Sequence, residues 1–323
     1  MVAPQVIEDG SPDVACHPVP SPPGCPQQYS VSSTDFFSPI SQDPFSQGRI
    51  AAANTLSDVY AAGVVQVQSM LMILALSDNM PEPERSITTE HMIRGFQEAC
   101  KEAGCVIVGG QTVTNPWPIL GGVAMSTVLE EQIVRTTNFV AGDVLVLTKP
   151  LGTQVAANMW GWTLKPKFWK IVREYDVPYE EYKASVLAAN ESMMRLNMHA
   201  ASLMHKHGAH GSTDVTGFGM LGHARNLAHV NRKNEIDLEI DTLPVFKHTP
   251  KFDYGITKDY KLREGLSAET SGGLLVALPA DKVSAYIEDL QAYHGDKWGW
   301  VVGKVVKGTG QARLVEGVKI LEV

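Results

Sequence analysis

No apolar run in this 323-residue chain approaches the ~18 residues that span a bilayer, and the opening Met1-Val2-Ala3-Pro4 lacks the basic and apolar regions of a secretory signal. A membrane-spanning or secreted protein is disfavoured, and a cytoplasmic location is expected. Cysteine is scarce as well. The four present, Cys16, Cys25, Cys100 and Cys105, show no CxxC spacing, which excludes a disulfide framework and predicts reduced thiols. Positive charge is the third shortage: Lys and Arg total 27 against 35 Asp and Glu, for a formal net charge of -8. Without Lys and Arg clusters to release counterions, nucleic acid is excluded as the main partner. An acidic chain that binds a polyanion must use metal ions or helix N-termini. The P-loop pattern is absent, and no internal repeat is visible.

What is present is a large apolar fraction, 44%, in a chain long enough for two domains. The first 28 residues hold seven prolines and predict an extended N-terminal arm over 1–28 that forms neither helix nor central strand. Alternation from Tyr29 predicts a strand running into Asp35. An Ala-rich helix follows over 46–62, with Ile50, Asn54 and Asp58 on one face at i, i+4 spacing. A buried strand over 67–76, a helical stripe from Met92 to a stop at Gly104, and strands over 105–108, 119–129 and 144–148 complete an α/β domain over 29–150. Lys149-Pro150-Leu151-Gly152 punctuates the chain and predicts a boundary. The α+β domain expected over 151–323 has helices from Thr153, over 178–205, after Thr216 and over 281–293. Its strands are expected over 236–240, 273–277, 300–306 and 312–323. The overall class is α+β.

Three acidic positions stand in short Gly- or Ala-rich settings with almost no Lys or Arg beside them: Thr34-Asp35-Phe36-Phe37, Asn54-Thr55-Leu56-Ser57-Asp58, and Thr213-Asp214-Val215-Thr216-Gly217. Such carboxylates suit Mg²⁺, which takes oxygen ligands and bridges them to phosphates, so a nucleotide-using enzyme is the leading idea. On pattern alone, a solvated helical Asp58 and a turn-forming Asp35 are equally good readings. Gly109-Gly110-Gln111-Thr112 lets backbone N–H groups approach a phosphate or base, although an ordinary strand-to-loop turn is favoured there. Leu151-Gly152-Thr153 offers either an anion site at a helix start or simple capping.

Gly217-Phe218-Gly219-Met220-Leu221-Gly222 matches the dinucleotide pattern GxGxxG, with Asp237 downstream. The preceding His207-Gly208-Ala209-His210-Gly211-Ser212 does not read as the buried strand that pattern requires, so a turn presenting Asp214 before a helix is expected instead. His205, His207 and His210 fit no standard zinc spacing and read as histidines at a helix end.

Together these stretches, with Gly48-Arg49-Ile50-Ala51-Ala52-Ala53-Asn54, Leu147-Thr148-Lys149-Pro150-Leu151-Gly152-Thr153 and Ser267-Ala268-Glu269-Thr270-Ser271-Gly272-Gly273, resemble the selenophosphate synthetase (selenide, water dikinase) family. Through it the chain resembles the aminoimidazole ribonucleotide synthetase superfamily. The resemblance runs in order from about Ser33 to the C-terminus and implies a two-domain fold, a homodimer with ATP at its interface, and no membrane partner. It also implies the reaction of ATP, selenide and water to selenophosphate, AMP and orthophosphate. Carried over by motif, Asp58 and Asp214 are Mg²⁺ ligands, Asp35 and Asp58 contact the nucleotide, and Gly109, Gly110, Gln111 and Thr112 line the ATP site. Asp13 is the nearest candidate for a further Mg²⁺ ligand, in a poorly matching Ser11-Pro12-Asp13-Val14.

The family's glycine-rich segment with a catalytic Cys or selenocysteine and a nearby Lys has no match here. No catalytic residue is therefore assigned, and an N-terminally shortened form that makes little selenophosphate is expected. Rival readings are another ATP-using member of the superfamily, such as thiamine-monophosphate kinase, and a non-catalytic binding homologue.

Overall fold

A computed structural model describes residues 14–254, 256, 258–295 and 298–323. The chain divides into two compact units: the chain up to Phe139 together with Leu196–Thr213, and Val140–Arg195 together with Asp214–Val323. The expected boundary at 149–152 thus falls inside the second unit, and a later segment returns to the first.

The first unit is built on a five-stranded sheet ordered β1-β2-β5-β3-β4, from β1 (Ala15–Val19), β2 (Gln28–Phe37), β3 (Ser69–Ser77), β4 (Val106–Asn115) and β5 (Ile119–Leu129). β1 lies within the proline-rich stretch, where an extended arm without helix or central strand was expected. It is an edge strand pairing with β2 alone, a position where Pro18, lacking an N–H, is tolerated.

Two helices cover one face of this sheet. In α1 (Pro44–Ala61) the first turn is capped by the Asp43 carboxylate, which accepts from the Phe45 and Ser46 N–H groups, with Pro44 at the first position. In α2 (Glu84–Glu102) the end is set by Gly104 at φ +67. The helices cross at two glycines: a Cβ on Gly48 would lie 2.1 Å from the Met92 carbonyl oxygen, and one on Gly95 would lie 1.9 Å from that of Phe45.

Strand pairing fixes which residues look toward the helices. Ser33, Ala124, Met70 and Ile107 form one row across β2, β5, β3 and β4, and Asp35, Gly122, Met72 and Gly110 form the next. Met70 and Ala124 are fully buried on this side, and a Cβ on Gly122 would meet the Phe96 ring of α2 at 3.2 Å. The intervening rows, Thr34-Val123-Leu71-Gly109 and Phe36-Gly121-Ile73-Gln111, point the other way. There Leu71, Ile73 and Val123 are only half-buried and Phe36 is 53% exposed.

The returning segment carries α6 (Met198–His207) and is tied to the end of α1 by side-chain hydrogen bonds. Asn197 Nδ2 donates to Ser57 Oγ (3.0 Å), Ser212 Oγ donates to the Ala61 carbonyl (2.6 Å), and His205 Nε2 lies 2.7 Å from the Gly63 carbonyl. Nothing in the composition of this segment separates it from the helices before it. Its membership is decided by these distant partners.

The second unit contains five strands and the last residue, Asp214, of β7 from a mixed six-stranded sheet ordered β11-β8-β10-β6-β9-β7. The strands of this sheet are β6 (Val144–Leu147), β7 (Gly211–Asp214), β8 (Ile236–Val245), β9 (Leu274–Leu278), β10 (Trp300–Lys307) and β11 (Ala312–Glu322). The helices are α3 (Thr153–Thr163), α4 (Pro166–Val172), α5 (Tyr179–Met194), α7 (Gly219–Val230) and α8 (Val283–His294). All five residues of β9 are buried, so its sequence is a continuous apolar run rather than an alternation. Among the described residues no helix is long and apolar enough to cross a membrane.

β7 corrects one step of the sequence reading. A short buried strand does precede the GxGxxG stretch, although its residues are small and polar. The dinucleotide unit is nevertheless absent, because β8, the strand after α7, lies apart from β7 across β10, β6 and β9 instead of beside it. Asp237 is engaged elsewhere, accepting from the Thr309 and Gln311 N–H groups and from Arg313.

Candidate functional site

In the first unit, strand and helix periodicities bring four polar side chains together. Ser33 and Asp35 share the helix-facing side of β2, and Asn54 and Asp58 share one face of α1. Ser33 Oγ donates to Asp58 Oδ2 (2.5 Å), and Asn54 Nδ2 donates to Asp35 Oδ2. The donors are buried, whereas both carboxylates are half-buried. Asp58 sits in the last turn of α1, where the helix dipole disfavours a negative charge, and that turn contains no basic residue. A carboxylate in this position gains from a cation. Gly121 is required beside it, since a Cβ there would lie 2.0 Å from the Asp35 carbonyl oxygen.

Gly109-Gly110-Gln111-Thr112, expected as a loop, continues β4. Val108 is the extra residue of a bulge against β3, and Gly110 has φ +150 with its Cβ position 1.9 Å from the Met72 carbonyl oxygen. The glycine is thus demanded by close backbone packing. Gly109 to Thr112 are exposed on this edge strand. Gly110 and Asp35 share a row but are three strand spacings apart, about 14 Å within one chain.

In the second unit, Asp214 ends β7 and is 2% exposed. The backbone after it is latched at three points: Val215 N donates to Gly273 O (2.9 Å), Glu269 N donates to Thr216 O (2.9 Å), and Thr216 N donates to His223 Nε2 (3.0 Å). Burial holds the His223 imidazole below its ordinary pKa, against the opposing pull of Asp214. With Nε2 accepting, the ring is neutral. Lys149 is buried, and its Nζ donates to the carbonyls of Arg195 (2.6 Å) and Ser271 (2.9 Å). Burial pushes its pKa down to about 7, helped by the Arg195 charge and opposed by Asp214.

The anion position at the start of α3 is filled by the protein itself. Glu269 accepts from Gly152 N (2.7 Å), Thr153 N (2.8 Å) and Thr153 Oγ, which makes this helix start a structural cap and not a phosphate site. Complete burial pushes the Glu269 carboxyl up to about 7 from 4.5, with these donors pulling the other way. A raised folded-state pKa contributes stability that is whole below about 4.5 and is lost as pH rises through about 7, up to about 3 kcal/mol for this group. Urea unfolding at pH 5 and pH 8 is expected to show this loss in the wild type and a smaller one in Glu269→Gln. Equal pH dependence in both proteins would contradict it.

Asp13 lies outside the described residues, so its expected role in metal binding has no structural description. Among the described residues there is no group of three or more His, Cys, Asp or Glu that could hold a metal on its own. Half-buried carboxylates with oxygen donors nevertheless fit Mg²⁺, which is commonly held by one or two carboxylates together with substrate phosphates and water. Sequence reasoning missed Ser33, detectable as the residue two before Asp35 on one strand face. It also missed Glu269 and Lys149, whose partners are distant in the chain.

Curated relatives place these residues in a family. The chain is 45% identical over 300 residues to a selenide, water dikinase of Trypanosoma brucei brucei, covering 91% of this chain and 76% of the relative. It is 46% identical over 310 residues to one of Leishmania major, covering 91% and 77%. The chain belongs to the selenide, water dikinase family. Mouse selenide, water dikinase 2 is 43% identical over 295 residues, covering 91% of this chain and 65% of that protein. Two family profiles match the chain: AIR synthase related protein, N-terminal domain, over residues 22–128, and its C-terminal domain over 140–316.

Solved structures confirm the fold of this selenide, water dikinase family member. AaThiL complexed with AMPPCP and TMP matches with a TM-score of 0.68 at 18% identity, covering 98% of this chain and 89% of that one. Hydrogenase maturation protein HypE in complex with ATP matches with a TM-score of 0.67 at 16% identity, covering 88% and 81%. At these identities the likeness establishes the two-domain fold alone.

Proposed function

We propose that this chain is the nucleotide-binding core of a selenide, water dikinase, converting ATP, selenide and water to selenophosphate, AMP and orthophosphate. The observation that carries the reading is the Ser33, Asp35, Asn54 and Asp58 cluster, in a chain 45% identical to a named selenide, water dikinase. Asp58 and Asp214 serve as Mg²⁺ ligands, and Asp35 and Asp58 contact the nucleotide. Bound Mg²⁺ supplies neutralisation of the phosphate charges. The protein's own part is orientation: Ser33 and Asn54 each give one hydrogen to a carboxylate oxygen, which fixes how the two carboxylates are presented.

The active form is proposed as a homodimer, with ATP at the subunit interface and a cytoplasmic location. Two features of the first unit support the dimer. Among the described residues its sheet has helices on one face only, leaving Leu71, Ile73, Val123 and Phe36 partly exposed on the other, a contiguous apolar patch of the kind that marks an interaction surface. Its edge strand β4 presents exposed Val106, Val108 and Val113 beside the Gly109 to Thr112 stretch. A separation of about 14 Å between Asp35 and Gly110 in one chain suits a nucleotide that draws these groups from two subunits.

The experiment is phosphorus NMR of stoichiometric protein incubated with ATP, Mg²⁺ and selenide under reducing conditions. Equal amounts of AMP and orthophosphate with a selenophosphate signal are expected. ADP as the end product would instead favour a simple kinase and overturn the reading.

A further inference from the structure

We infer that Lys149 is a positioning residue for Asp214, acting through the Thr270-Ser271-Gly272-Gly273 turn; the inference rests on the proposed role of Asp214 as a Mg²⁺ ligand. Lys149 follows β6, and its ammonium is sequestered from water with two main-chain carbonyls as its hydrogen-bond acceptors. A buried ammonium is costly, and a neutral residue of similar length would fill the space. Its retention calls for a task that needs the donors.

That task is visible in what the carbonyls belong to. Ser271 has φ +47, a left-handed conformation that a residue with a Cβ adopts only when its surroundings enforce it. Its carbonyl is the one taken by Lys149 Nζ at 2.9 Å. The next two residues must be glycine: a Cβ on Gly272 would lie 2.0 Å from the Val215 carbonyl oxygen, and one on Gly273 would lie 2.4 Å from Lys149 N. Gly273 O in turn accepts from Val215 N, the residue bonded to Asp214. The second carbonyl, of Arg195, is steadied by the stacking of its own guanidinium over the Trp298 ring at 3.9 Å. A continuous path of short contacts therefore runs from the Lys149 ammonium through Ser271 and Gly273 to the backbone carrying Asp214.

The test compares Lys149→Met, Lys149→Arg and Asp214→Asn with the wild type, using Mn²⁺ as the probe in the presence of a non-hydrolysable ATP analogue. Mn²⁺ affinity is read by electron paramagnetic resonance and folding by thermal melting. Lys149→Met is expected to lose about ten- to a hundredfold in Mn²⁺ affinity while its metal-free nucleotide affinity stays at the wild-type value. Lys149→Arg, which keeps the charge, is expected to fold and to lose less, so a failure of the Met variant to fold leaves the arginine variant as the readout. Wild-type Mn²⁺ affinity in folded Lys149 variants, with affinity lost in Asp214→Asn, would overturn the positioning role and spare the proposed ligand. Wild-type affinity in Asp214→Asn as well would refute the ligand and the inference together.

Discussion

Asp58→Asn is expected to weaken Mg²⁺-dependent ATP binding by about 2 kcal/mol or more, roughly thirtyfold, because removing one partner of a desolvated charge pair leaves the other uncompensated. The fold should survive. Asn is isosteric with Asp, and its carbonyl oxygen can still accept from Ser33 Oγ, the partner seen for Asp58. The last turn of α1 would even gain from losing a negative charge near the helix C-terminus. A useful sign change follows. With Mg²⁺ chelated, the variant should bind free ATP at least as well as the wild type, since an unscreened carboxylate repels a polyphosphate. Calorimetry with and without Mg²⁺ separates the two cases. Equal Mg²⁺-ATP affinity in variant and wild type would remove Asp58 from the site.

The second large effect concerns association. Ile73 lies on the face of the first sheet opposite α1 and α2, in a row with Phe36, Gly121 and Gln111, and it is already half-exposed in the single chain. Ile73→Asp should therefore cost the protomer little. At a subunit interface the same carboxylate would be buried without a partner, a penalty of about 3 kcal/mol that weakens dimerisation roughly a hundredfold. Sedimentation equilibrium is expected to find a dimeric wild type and a largely monomeric variant, with Mg²⁺-ATP affinity falling alongside. A monomeric wild type, or a variant that remains dimeric, would move the interface elsewhere.

The i, i+4 spacing that places Asn54 and Asp58 on one face of α1, and the position of Asp35 near the end of a strand, were legible; the Ser33–Asp58 and Asn54–Asp35 hydrogen bonds were not, because they join residues about 20 apart in the chain. The limits of β5 coincide with the expected 119–129, where alternation and flanking turn residues agree. What escaped notice depended on partners far along the chain. β7 consists of Gly-Ser-Thr-Asp, which no hydrophobic pattern marks as buried, and its Ser212 hydroxyl finds its acceptor at Ala61. The cap of α3 comes from Glu269, 116 residues beyond Thr153. Strand β4 ran through a glycine pair that reads locally as a turn, since only the approach of Met72 reveals why glycine is needed. The β1 strand was hidden by prolines that an edge position tolerates.

The central claim is that the Asp35 and Asp58 carboxylates receive a magnesium–nucleotide complex, and a crystal structure of the protein grown with Mg²⁺ and a non-hydrolysable ATP analogue tests it most directly. The account predicts an Asp58 carboxylate oxygen bound to the ion at about 2.1 Å, with the triphosphate on the same ion. A nucleotide bound elsewhere, with Asp58 touching neither metal nor phosphate, would contradict it.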